Sequence, residues 1–116
     1  MSLSSMTPRD AFVCICYNMM GVDEFIDMRE IDKLFEVVRR YGFRFEEVNQ
    51  IADEMIILGQ DKANELALRA IDIAKQLDDE MRVNLIHALI DIARADGRMH
   101  DSELSLLYAV KTAFGM

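Results

Sequence analysis

Two pairs of acidic residues recur along the chain with the same internal spacing. Asp23 and Glu30 are seven residues apart, Asp96 and Glu103 repeat that interval, and 73 residues separate the pairs. Such carboxylates can hold a hard cation through oxygen ligands, or they can bond the free backbone N–H groups of turns and helix starts. For each residue taken alone, turn and capping chemistry is the simpler interpretation. Because both pairs recur together, cation binding becomes a stronger alternative, but turn and capping chemistry stays the preferred interpretation for each residue.

The remaining reactive side chains do not form a catalytic pattern. No Ser lies beside a candidate base, and no glycine-rich loop is available to hold phosphate. His87 and His100 do not have the spacing of a zinc site. Cys14 and Cys16 would point about 200° apart on a helix, so they cannot form a disulfide and are interpreted as small buried hydrophobes. We therefore expect no enzymatic activity.

Size and charge narrow the class of protein and its partners. The chain has 116 residues, 52% of them hydrophobic, and a formal net charge of −8, which fits a single soluble domain. Such an acidic chain should repel nucleic acid and favour a cation or a basic protein partner, whose identity stays open. The longest apolar run, 11–17, is too short for membrane insertion and no signal peptide is evident, so we expect a cytoplasmic location. Residues 1–6 are expected to be a flexible tail, and 7–116 a single helical domain.

Apolar periodicity predicts an all-α fold of about six helices, in the ranges 7–20, 27–41, 46–58, 61–77, 79–95 and 100–114. Thr7, Pro8 and Asp10 form a helix start, whereas Gly42 and Gly59 mark helix ends. The first and fifth helices are apolar on nearly every side, so we expect them to pack together as the most buried pair. The predicted inward stripes of the other helices are Ile31, Leu34, Phe35 and Val38; Val48, Ile51, Ala52 and Met55; Leu66, Ala70, Ile73 and Leu77; and Leu104, Leu107, Tyr108 and Lys111.

Sliding the chain over itself by 73 residues reveals an internal repeat. The acidic pairs coincide, as do Gly42 with Gly115 and, as lone polar residues in the buried helices, Asn18 with Asp91. Each copy consists of a buried helix, a short acidic loop, an amphipathic helix and a glycine. The sequence therefore predicts two pseudo-symmetric helix–loop–helix units. Asn18 and Asp91 are interpreted as a polar pair at a helix contact, with support of the acidic cluster as the alternative.

The second copy contains the stretch Ala95-Asp96-Gly97-Arg98-Met99-His100-Asp101-Ser102-Glu103-Leu104 between a buried and an amphipathic helix. This stretch resembles the motif of the TerB-like family, which includes a tellurite-resistance protein and the N-terminal domain of a co-chaperone. The residues from Val22 to Ile31 look like the weaker first motif of that family. The resemblance covers nearly the whole chain from Thr7, and it implies an all-α bundle built from two related helix pairs.

The resemblance also implies a metal site, which carries over to Asp23, Glu30, Asp96 and Glu103. Four carboxylates at one place would repel one another, and a divalent cation would relieve that repulsion. A ligand set made only of oxygen suits Mg²⁺, Ca²⁺ or Mn²⁺ better than Zn²⁺. The expected function is therefore non-catalytic cation binding in a stress or tellurite- and metal-resistance context. The alternative is a metal-free module that binds a protein partner through an acidic face.

Overall fold

The six predicted helices are present in the computed structural model, which describes residues 6–21, 28–95 and 101–116. They are α1 (Pro8–Gly21), α2 (Met28–Val38), α3 (Phe45–Leu58), α4 (Gln60–Ala74), α5 (Asp79–Ala95) and α6 (Asp101–Ala113), with a 3-10 turn at Arg39–Tyr41 after α2. No strand occurs in these ranges, so the all-α prediction is confirmed. Two helices end three residues earlier than predicted: α2 passes into the 3-10 turn, and α4 ends at Ala74 because the N–H groups of 75–77 bond carbonyls three residues back.

Local side-chain chemistry explains where two of the helices begin. At α1, Thr7 and Asp10 bond each other's backbone N–H groups at 3.1 and 3.2 Å, which forms a reciprocal capping box. At α5, a carboxylate oxygen of Asp78 accepts from the N–H of Met81 at 2.8 Å. These bonds satisfy backbone donors that lack partners inside the helix. The predicted start of α1 is thereby confirmed.

The internal repeat is visible in the helix boundaries. A shift of 73 residues carries the first residue of α2, Met28, onto the first residue of α6, Asp101. Gly42 and Gly115 both have positive φ, at 91° and 74°. Their N–H groups bond the carbonyls of Arg39 and Thr112, which are themselves related by the same shift. Both units therefore end in a left-handed glycine, where a side chain would be strained.

Helix α1 is the centre of the core, but its main neighbour is not the helix that the sequence predicted. All residues of 11–19 are buried. Helix α1 packs more extensively on α4 than on α5, because α4 presents small side chains that permit close approach: Ala63, Ala67, Ala70 and Ala74. Helix α5 does pack on α1, yet His87 is exposed and Val83 is 41% exposed. The predicted packing of α5 on α1 is therefore present, but one side of α5 faces water.

Two predicted inward stripes and one boundary also need correction. In α6 the buried side chains are Glu103, Leu107 and Val110, whereas Tyr108 is 70% exposed and Leu104 lies at the surface. The helix is thus rotated relative to the prediction, so that a carboxylate faces inward.

In α4, Leu66 and Ile73 are only partly buried and the alanines take their place. Met6 was assigned to the tail but is buried in the core, while residues 1–5 lie outside the described ranges.

Arg9 ties the start of α1 to the start of α3. Its guanidinium donates to both carboxylate oxygens of Glu47 at 3.1 Å and to the carbonyl of Gly42 at 3.0 Å. The same group lies 4.4 Å from the centre of the Phe43 ring. Glu47 also accepts from the N–H of Arg44. The hydrogen bond from Arg9 is the largest of the causes that hold the pKa of Glu47 below its ordinary value.

We expect Ala70→Leu to destabilise the protein by about 1–3 kcal/mol, because the larger side chain would force α1 and α4 apart. Ala70 has no exposed surface. The free energy of unfolding in urea measures the effect. Ala109→Leu, at an exposed position of α6, is the matched control and should change it very little. Equal stability of the two variants would contradict close packing between α1 and α4.

We expect Glu47→Gln to lower the free energy of unfolding by about 1 kcal/mol at pH 7, through loss of the charged bonds to Arg9. The pKa of Glu47 is depressed from 4.5 in the folded state. Its contribution is therefore complete above about pH 4.5 and is lost as the pH falls through the folded-state pKa. Urea unfolding at several pH values measures the difference from the unmodified protein. That difference should shrink on acidification, and growth would contradict the assignment.

A control for this pH series is Glu36→Gln. Glu36 of α2 forms an exposed ion pair with Arg39 at 3.2 Å. Because exposed pairs of this kind contribute little, the control should change stability much less than Glu47→Gln at neutral pH.

Candidate metal centre

The backbone places two of the four predicted ligands at equivalent points. Glu30 is the third residue of α2, and Glu103 is the third residue of α6. Helix α5 contacts α1, α2 and α6, so the two helix–loop–helix units pack against each other. The side chain of Glu30 lies outside the described part of the structure, as do Asp23 and Asp96 entirely. Convergence of the four carboxylates therefore stays a prediction, and Glu103 is the member whose side chain can be examined.

Glu103 is a buried carboxylate. Only 3% of its surface is exposed, and within the described ranges Asn18 and Glu103 are the two buried polar residues of the core. Charged side chains are almost never fully buried unless they have partners, and Glu103 does interact within the protein. Its place in the first turn of α6 also favours a negative charge through the helix dipole. The sequence left capping and cation binding open for Glu103, and the structure adds that its side chain belongs to the inward face with Leu107 and Val110.

Asn18 is the second buried polar residue, and it lies in the last turn of α1. Its Nδ2 donates to the carbonyl of Cys14 at 2.9 Å. Its Oδ1 has no hydrogen-bond donor among the residues that the structure describes. A buried acceptor without a donor is costly, so Asn18 is a position where the core is not fully satisfied by the described residues.

Asp91, which the repeat aligns with Asn18, has a different partner. Its carboxylate lies 3.8 Å from the guanidinium of Arg40. Asn18 and Asp91 therefore do not form the predicted polar pair: Asn18 bonds the carbonyl of Cys14, and Asp91 pairs with Arg40. Two further arginines follow α2 close to Arg40, and they also have acidic neighbours, since Arg39 pairs with Glu36 and Arg44 with Glu47. This arrangement agrees with a solvated helix end rather than with an anion site.

The two cysteines are unsuited to metal binding. Both are buried and reduced, and the Sγ of Cys14 lies 3.8 Å from the Sδ of Met55. Burial raises the pKa of Cys14 to about 12 and also raises that of Cys16. Thiols bind metals as thiolates, so these two act as small core side chains, as predicted. In the described ranges, no three His, Cys, Asp or Glu residues are grouped closely enough to hold a metal ion.

Comparison with known proteins adds one finding. A family model described as "Tellurite resistance protein TerB" matches residues 9–116. Comparisons with curated proteins and with solved structures give no match. None of the helices in the described ranges is long and apolar enough to cross a bilayer.

We expect Asn18→Leu to leave the free energy of unfolding unchanged or to raise it by up to about 1 kcal/mol. The substitution keeps the number and branching of the side-chain heavy atoms and removes an acceptor that the described residues do not satisfy. Asn18→Asp should instead cost about 3 kcal/mol or more, because it would bury a charge. Urea unfolding measures both, with the exposed Gln76→Glu as the control for a change from amide to acid. A large loss in Asn18→Leu would mean that Oδ1 has an important partner outside the described ranges.

Proposed function

The chain belongs to the TerB family, and on that premise we propose that it is a non-catalytic domain that binds a divalent cation through Asp23, Glu30, Asp96 and Glu103. The family match extends over nearly the whole chain. The proposed setting is the cytoplasm, in the stress or tellurite- and metal-resistance context that the family's name indicates. The cation would act as a structural or regulatory ligand of the helix pairs.

The burial of Glu103 is the observation that carries the proposal. A glutamate is almost never fully buried unless its charge has a partner. Glu103 is 3% exposed, although α6 could have turned its apolar Leu104 or Tyr108 inward instead. Glu103 already interacts within the protein, and a divalent cation would be a further partner for this inward carboxylate.

The chemistry of the ligand set selects among cations. Four carboxylates supply hard oxygen ligands and a large negative charge, which suits Mg²⁺, Ca²⁺ or Mn²⁺. The cysteines, whose pKa values are raised, supply no soft ligands. The two acidic stretches lack the twelve-residue ligand pattern of an EF-hand. Helix starts favour negative charge on their own, so the competing explanation is that all four residues only cap and shape turns.

We expect millimolar Mg²⁺, Ca²⁺ or Mn²⁺ to raise the melting temperature by several degrees. A cation that binds only the native state at a hundredfold excess over its dissociation constant adds about 2.7 kcal/mol, which is a visible shift in a domain of this size. Asp96→Asn combined with Glu103→Gln should abolish the response. Melting followed by circular dichroism, with and without each cation, measures it.

A matched control separates the site from the general acidic surface. Asp53→Asn combined with Glu65→Gln makes the same change in net charge at two exposed positions, and it should leave the cation response intact. A melting temperature that no cation moves would contradict cation binding altogether. A shift that survives the change at Asp96 and Glu103 would contradict the proposed ligands, because the cation would then bind elsewhere.

A further inference from the structure

Three consecutive aliphatic residues are exposed where α3 meets α4. Ile56 is 42% exposed, Ile57 82% and Leu58 36%. Single exposed apolar residues are ordinary on protein surfaces. A run of three exposed apolar residues is different, because such runs are out of place on a folded surface unless they have a function.

The core does not account for these side chains. Helix α3 already buries a complete inward stripe, formed by Val48, Ile51, Ala52 and Met55. Ile56, Ile57 and Leu58 follow that stripe and are not needed to close it. The packing of the helices therefore does not explain why these three exposed side chains are apolar.

The corner itself has a tightly bonded backbone. Gly59 is the single residue between α3 and α4, with φ of 86°. Its N–H bonds the carbonyl of Met55 at 3.2 Å, and its own carbonyl accepts from the N–H of Ala63 at 2.9 Å. The two helices are therefore joined without a loop, and the aliphatic side chains are presented from ordered helical backbone. Preorganised surfaces of this kind lose less entropy on binding.

Acidic side chains outnumber basic ones around the corner. Between Phe45 and Asp61 the sequence contains five carboxylates, Glu46, Glu47, Asp53, Glu54 and Asp61, and no Lys or Arg. Asp53 lies one turn before Ile57 on the same side of α3, and both are exposed. On α4, the exposed Asp61 and Glu65 continue the acidic character along one side of the helix. The basic residues of α4 interrupt this acidic character, since the exposed Lys62 adjoins Asp61 and Arg69 lies one turn after Glu65 on the same side of the helix.

We propose that this corner, defined by Ile56, Ile57, Leu58, Asp53 and Asp61, docks a basic amphipathic segment of a partner protein. The aliphatic side chains would contact apolar residues of the segment, and the carboxylates would face its Lys or Arg side chains. Like charge disfavours a second copy of this chain, which has a net charge of −8, and it also disfavours an anionic lipid surface. The docking surface does not depend on the cation site.

Fluorescence anisotropy with a labelled synthetic Leu/Lys peptide of helical apolar periodicity tests the proposal. Ile57→Ser should raise the dissociation constant at least about fivefold, as expected for loss of a central apolar contact. Asp53→Asn with Asp61→Asn should also raise it and should reduce its dependence on salt. Tyr108→Ser removes an equally exposed apolar side chain from α6 and is the control, which should bind the peptide normally.

Further arms decide among the possible occupants. A Leu/Glu peptide, which lacks the positive charge, should bind much more weakly than the Leu/Lys peptide. A Ser/Lys peptide of equal charge, which lacks the apolar side chains, should also bind much more weakly than the Leu/Lys peptide. Equal effects of Ile57→Ser and Tyr108→Ser would overturn the proposal, because the peptide would then bind the acidic protein without a site. It would also be overturned by concentration-dependent self-association that Ile57→Ser abolishes, or by binding to phosphatidylglycerol vesicles that needs Ile57. Thermal melting of each variant checks that the fold is intact.

Discussion

The fold depends on the need to cover one helix on all sides. Helix α1 has no polar face over 11–17, so each side must be shielded from water by another element. The alanines of α4 let that helix approach closely, while α3 and α5 cover the remaining sides. The reciprocal cap at Thr7 and the bonds from Arg9 to Glu47 and Gly42 fix the entry of α1 into this arrangement. The other helices are thereby held in relation to one central element.

Periodicity and turn chemistry were sufficient to predict the helices and the repeat. Gly42 and Gly115 were recognisable as helix ends because only glycine adopts their left-handed backbone without strain. The partner of α1 was not predictable in the same way. Alanine contributes little to an apolar pattern, yet it is what permits two backbones to come close. Hydrophobicity therefore pointed to α5, whereas α1 packs more extensively on α4.

The residues of the candidate site were predictable from the sequence, but the burial of Glu103 was not. The spacing of the acidic pairs directed attention to Glu103, and a glutamate in a first helical turn is ordinarily a solvated cap. Its burial follows from the rotation of α6, which depends on how Leu107 and Val110 meet the core. Periodicity alone does not fix that rotation, since Leu104 and Tyr108 offer an equally apolar stripe. The exposed corner at Ile57 was missed for a related reason, because an aliphatic run at a helix end is ordinarily assigned to the core.

The buried thiols of Cys14 and Cys16 have a consequence for chemical reactivity. With pKa values raised by burial, to about 12 for Cys14, almost no thiolate exists at neutral pH, and electrophiles and oxidants react mainly with thiolate. Both side chains lie in the helix that the rest of the fold covers. Modification must therefore wait for α1 to become accessible, and the rate of alkylation would report how often the domain opens. While the protein stays folded, the two thiols of the central helix therefore do not react with electrophiles or oxidants at a significant rate.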